Sequence, residues 1–182
     1  MILICQMRNL SIERIVRIAL FVALASVIHY FENLIVIPIP IPGFKLGLAN
    51  IVGLFVLFYI DWKEYLAVTY FRILLVSLIS TGFGTGFLLS FSGSTFAVII
   101  SIILYKFLKC SIYSVSIVSA LFHATGQVLM YALISMQFYI ISYLAILALL
   151  SMLAGLLLSI ICRMLLVRMP PFKDRARIKR RR

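Results

Sequence analysis

Acidic side chains are scarce in this chain: five Asp and Glu stand against seventeen Lys and Arg in 182 residues. Glu13, Glu32, Asp61, Glu64 and Asp174 are too scattered to form the aspartate-rich cluster that holds magnesium against a diphosphate, which argues against prenyl transfer by this chain. Charged residues of both signs make up 12% of the chain and hydrophobic residues 64%, with a mean hydropathy of +1.18. Soluble domains hold about a quarter and about half respectively, so a soluble globular fold is excluded. The cysteines Cys5, Cys110 and Cys162 lie far apart, and neither a disulfide framework nor a metal motif follows from them. The phosphate loop GxxxxGK followed by Ser or Thr is missing, so ATP drive, if used, comes from a partner. GFGTG at 82–86 lacks the strand–turn–helix context of a nucleotide-binding loop and reads as a turn.

What is present is a series of apolar stretches close to 20 residues long, the length a helix needs to cross about 30 Å of hydrocarbon. They lack the short alternation of an outer-membrane barrel. The chain therefore reads as an all-α integral membrane protein, a compact bundle of about six transmembrane helices at roughly 14–36, 46–60, 64–80, 88–105, 112–134 and 138–166. Asp61, Trp62, Lys63 and Glu64 make a polar turn between the second and third. No linker or repeat divides residues 1–168, which form one domain, and 169–182 form a basic tail.

Lys and Arg accumulate in cytoplasmic loops. With six spans, fifteen of the seventeen basic residues fall on one side: Arg8, Arg14 and Arg17, then Lys63, Lys106 and Lys109, then nine from Arg163 to Arg182. The other side holds Lys45, and Arg72 lies inside the third span. Both termini are expected in the cytoplasm of a cell-membrane protein, where the three thiols stay reduced. A basic tail directly after a span reads as a topological anchor against anionic lipid, at about 1 kcal/mol per residue. No folded basic domain accompanies it to bind nucleic acid. The N-terminal apolar run continues past Ala25 into His29 and Glu32 without a cleavage pattern, and reads as a retained first span.

Polar groups at membrane depth cost several kcal/mol unless they meet a partner or a cavity. Arg72 is the foremost, with Thr69 on the same helical face; the plain reading is a structural arginine and the sharper one an anion-binding group. Ser116, Ser119, His123 and Gln127 recur at three- and four-residue spacing, extended by Tyr131, and so share one face of the fifth span. Such a stripe also serves as interhelical hydrogen bonding. No second His or Cys stands at ligand spacing from His123, so no metal is assigned, and no cofactor is implied. Pro38, Pro40 and Pro42 stop a helix, and irregular backbone at membrane depth survives only where protein or water covers it. In this topology Glu32, Lys45, Asn50 and Ser92 from the outer ends converge with Arg72, His123 and Gln127 near mid-depth. A pocket made of them favours a small anionic ligand.

PGFKLGLANIV at 42–52, the arginine in the third span, SFSGS at 90–94 and HATGQ at 123–127 resemble the Gx transporter family, whose members have also carried the name heptaprenyl diphosphate synthase component I. The resemblance spans about residues 12–168. That family is similar to the substrate-binding S components of energy-coupling-factor transporters, which implies capture of a micronutrient or related metabolite at the outer face. It also implies partnership with a transmembrane coupling subunit and two ATPases. S components often meet the coupling subunit through an AxxxA pattern on the first span, and Ala19 and Ala23 match it. Two other readings stand beside this one. The chain is a membrane subunit of heptaprenyl diphosphate synthesis, with Lys45 and Arg72 gripping the diphosphate, or an anchor for a redox or flavin partner.

Overall fold

The structure is a computed structural model that describes residues 2–34 and 47–170, with backbone alone at 2–11, 33–34 and 80–81. Lys45, the three prolines and the basic tail from 171 lie outside the described residues. Six α-helices follow one another: α1 (Ile2–Leu34), α2 (Asn50–Tyr59), α3 (Trp62–Val76), α4 (Thr85–Ile102), α5 (Ile112–Ser135) and α6 (Leu144–Arg168). No strand occurs among the described residues. α3 and α4 each end in a π-helical turn, Ser77–Thr81 and Ile103–Phe107, and a 3-10 turn at Phe138–Tyr143 leads into α6.

Hydropathy locates the expected spans well and their ends less well. α1 begins at Ile2 although its apolar, membrane-length stretch is Ile12–Glu32. Backbone hydrogen bonding carries a helix beyond the point where lipid stops favouring it. α1, α4, α5 and α6 are long and apolar enough to cross a membrane. α2 has ten residues, about 15 Å of helix, and Val52 to Leu57 are all buried. It is a short plug, packed on α1, α3, α5 and α6, rather than a lipid-facing span. α3 adds Lys63, Glu64 and Arg72 to an otherwise apolar helix. The GFGTG segment is a turn, with Gly82 left-handed at φ +62° and Gly84 preceding α4.

Tight seams join α4, α5 and α6. A Cβ on Gly126 would lie 2.9 Å from the Gly93 Cα, and one on Gly155 would lie 2.9 Å from the Ala120 Cβ and the Ser116 carbonyl. Across these approaches the Ser92 hydroxyl donates to the Gly126 carbonyl at 3.0 Å and the Ser116 hydroxyl to the Gly155 carbonyl at 2.6 Å. Small residues admit the close backbone contact that association inside lipid depends on. The outward faces carry Leu20, Leu24, Phe31, Leu149, Leu153 and Leu157, all exposed, as lipid contact requires.

A basic, aromatic collar closes one end of the bundle. Glu64, in the first turn of α3, receives Arg17 at 2.9 and 3.2 Å and Arg14 at 3.3 Å. The ammonium of Lys106 sits 5.0 Å from the centre of the Trp62 ring, and Lys63 lies 5.7 Å from it. Arg163 donates to the Tyr113 hydroxyl at 2.7 Å, and Tyr59 donates to the Pro170 carbonyl at 3.1 Å. Cys110 and Cys162 are free thiols near this end. The collar thus gathers the early part of α1, the α2–α3 and α4–α5 junctions and the end of α6.

Candidate functional site

Toward the opposite end, five helices bring polar groups into the interior. Glu32, in the last turn of α1, is buried, and its carboxylate accepts from the Gly47 amide at 2.5 Å and the Leu48 amide at 3.0 Å. These amides lie in the turn that enters α2. Gly47 has φ +80°, a left-handed conformation that L side chains rarely adopt, and a Cβ there would meet the Asn50 amide nitrogen at 2.8 Å. The left-handed backbone favours glycine here, and a larger residue would also displace the Asn50 side chain. Asn50 opens α2 and presents Oδ1 to Nη2 of Arg72 at 3.2 Å, while the same Nη2 reaches the Ser94 hydroxyl at 3.5 Å.

Arg72 is 4% exposed, in the second half of α3. Its Nε has no hydrogen-bond partner among the described residues. No carboxylate among them forms an ion pair with it; the ion pairs that Glu64 makes are with Arg14 and Arg17 at the collar. His29, Glu32, Asn50, Arg72, Ser94 and His123 line one cavity, which Gly47, Ala49 and Ser90 complete. Its free volume, ≈ 10 Å³, is about that of one water-sized sphere.

The expected site residues fall into three groups. Glu32, Asn50, Arg72 and His123 line the cavity together. Gln127 stands one layer behind, fully buried, with Nε2 3.2 Å from Nε2 of His123 and its chain lying where a Cβ on Gly93 would be. Ser92 lies in the α4–α5 seam, its hydroxyl donating to the Gly126 carbonyl, while Ser90 and Ser94 face the cavity. The reason is helical phase, since residues four apart share a face while one two positions along points away from both. The α5 stripe divides likewise, with Ser116 bonding α6 and His123 facing the cavity. Lys45 lies outside the described residues. His29 and Ser94 also line the cavity, at three- and four-residue spacing from Glu32 and Ser90.

Ala19 and Ala23 are both exposed on α1. Ala19 borders an apolar groove that runs between α1 and α3, with Ile15, Phe71, Leu75 and Leu78 along it. Among the described residues no group of three His, Cys, Asp or Glu is placed to hold a metal ion.

A helical, lipid-facing bundle with a buried polar cluster near one end defines a class: a polytopic membrane protein with an internal polar site. Within that class the particular family is also shown. The family model described as heptaprenyl diphosphate synthase component I matches residues 21–165, and the chain belongs to that family. No match was found among curated proteins or among solved structures.

Proposed function

We propose that the protein is the substrate-binding membrane subunit of an energy-coupling-factor-like transporter, and that it captures a small metabolite bearing an anionic group from the outer side. The observation that carries this reading is Arg72: a guanidinium buried in a membrane bundle, held by neutral groups and bordering a cavity. A buried charge with no direct ion pair among the described residues is costly, and such groups in membrane helices mark ligand or ion sites. The positive-inside rule places the collar in the cytoplasm together with both termini, and hence the cavity in the outer half. The resemblance to S components supplies the partners, a coupling subunit and ATPases, and exposed Ala19 and Ala23 supply a surface on which a helix can approach closely.

The test is purification of the full chain from membranes that also contain a candidate coupling subunit and its ATPases. The reading expects a complex that Ala19→Leu with Ala23→Leu disrupts while the chain stays folded. Absence of any complex with the unaltered chain refutes it.

The family's printed description favours a second reading, a membrane subunit in heptaprenyl diphosphate synthesis. Under it, elongation of farnesyl diphosphate by isopentenyl diphosphate and magnesium requires this chain beside a catalytic partner. The transport reading expects elongation to be unaffected by its removal.

A further inference from the structure

Glu32 and Arg72 line the same small cavity from α1 and α3, yet they do not pair with each other. The carboxylate is held by two backbone amides, and the guanidinium by an amide oxygen and a hydroxyl, with its Nε unpartnered among the described residues. At the collar of the same molecule, a buried glutamate and two arginines do make direct contact. Opposite charges held apart across a cavity by neutral partners leave each one able to accept a counter-charge from a third body.

The total charge of the described groups sharpens this. With His29 and His123 neutral, one carboxylate and one guanidinium sum to zero, so a ligand carrying a lone negative charge leaves an uncompensated charge in a low-dielectric interior, which costs several kcal/mol. A ligand with both charges adds none and satisfies both walls. We propose, building on the ligand-capture reading above, that the site takes a zwitterion of the α-amino-acid type, its carboxylate on Arg72 and its ammonium on Glu32. A planar guanidinium suits a carboxylate because two parallel N–H donors match its two oxygens.

The same geometry explains how a cavity with room for one water admits such a ligand. The Gly47 and Leu48 amides hold the turn into α2 through the Glu32 carboxylate alone among the side chains they bond. An ammonium drawn to Glu32 competes with those amides, releases the turn and lets α2 withdraw from α1. Ligand recognition and opening are thus one exchange of donors on one carboxylate.

The experiment uses the purified full chain and three series of probes: free α-amino acids, which carry both charges; their C-terminal amides, which carry only the positive one; and their N-acetyl derivatives, which carry only the negative one. Binding is read by calorimetry and by the shift of the thermal midpoint. At least one free amino acid is expected to bind about 10-fold or more tightly than either singly charged analogue, the difference that one charged hydrogen-bonding partner makes. In Glu32→Gln, which keeps an oxygen for the two amides and so keeps the turn, the order is expected to invert, the N-acetyl anion binding better than the amino acid. In Arg72→Gln the amide is expected to lead. Binding of the N-acetyl anion ahead of the zwitterion by the unaltered chain overturns this assignment while leaving capture of an anion in force. An unchanged order in Glu32→Gln also overturns it. Binding by none of the three series overturns it too, and the co-purification test then judges the transport reading on its own.

Discussion

The two ends of this bundle bury a glutamate near arginine and treat the charges in opposite ways. At the collar, Glu64 takes Arg17 through two hydrogen bonds and Arg14 through a third contact, and Arg14 is half exposed. The cluster is saturated, and it clamps α1 to the start of α3. Around the cavity, Glu32 and Arg72 bond neutral groups among the described residues and make no direct ion pair with each other. A direct ion pair near the membrane surface stabilises the fold. Separated charges in the interior oppose it, a cost that the proposed ligand between them would offset.

The largest expected effect falls on ligand affinity. Arg72→Met, close in volume and apolar, is expected to abolish detectable binding, roughly a 100-fold loss or more. The thermal midpoint without ligand should change little, because the two charges make no direct ion pair and Glu32 keeps its bonds to the Gly47 and Leu48 amides. A strong drop in that midpoint would return Arg72 to a structural role and break the contrast.

Glu64→Gln tests the other end. It leaves two arginines facing an uncharged amide and is expected to lower stability by about 1–3 kcal/mol, less than for a fully buried pair because solvent screens Arg14 and part of Arg17. Affinity for any cavity ligand should stay within a factor of two or so, checked by calorimetry on the same sample. Parallel loss of affinity would show that the ends are coupled.

Gly126→Ala probes the seam that carries His123. The added methyl meets the Gly93 Cα and the Ser92 carbonyl, backbone that cannot step aside cheaply, so a loss of about 1–3 kcal/mol is expected by denaturant titration in detergent. The smallest effects separate two neighbouring serines. Ser92→Ala removes a hydroxyl from the Gly126 carbonyl and should cost about 1 kcal/mol of stability with affinity unchanged. Ser94→Ala, which loosens Arg72, should reduce affinity a few-fold with little loss of stability. Exchanged phenotypes would contradict the assignment of Ser92 to the seam.

Much of the architecture was legible because bilayer thickness is a length that a chain must match. Apolar stretches of about 20 residues announced α1, α4, α5 and α6, and the polar residues Asp61 to Glu64 marked the α2–α3 turn. The same hydropathy made α2 look like an ordinary span, since a helix buried on all sides by protein and one bathed in lipid have equally apolar sequences. Only packing distinguishes them.

The site was legible as a set of residue types and less so as a set of contacts. Glu32, Asn50, Arg72 and His123 drew notice as polar groups with no evident reason to lie in hydrocarbon, and one cavity holds all four. Ser92 and Gln127 drew notice for the same reason, yet one bonds a neighbouring helix and the other backs His123. Polarity at depth signals that a partner exists and does not say whether it is a backbone carbonyl, a side chain or a cavity.

By itself, then, the sequence determined that this protein is a helical membrane bundle and which few side chains lie at a cost inside it, because the transfer free energy of each residue is set by its own chemistry. Tertiary structure alone decided that Glu32 meets the amides of Gly47 and Leu48, that Arg72 meets Asn50, and that the two charges stay apart. Those outcomes depend on the rotation and depth of each helix against its neighbours, which the close glycine contacts at 93, 126 and 155 help to set and which no single segment encodes.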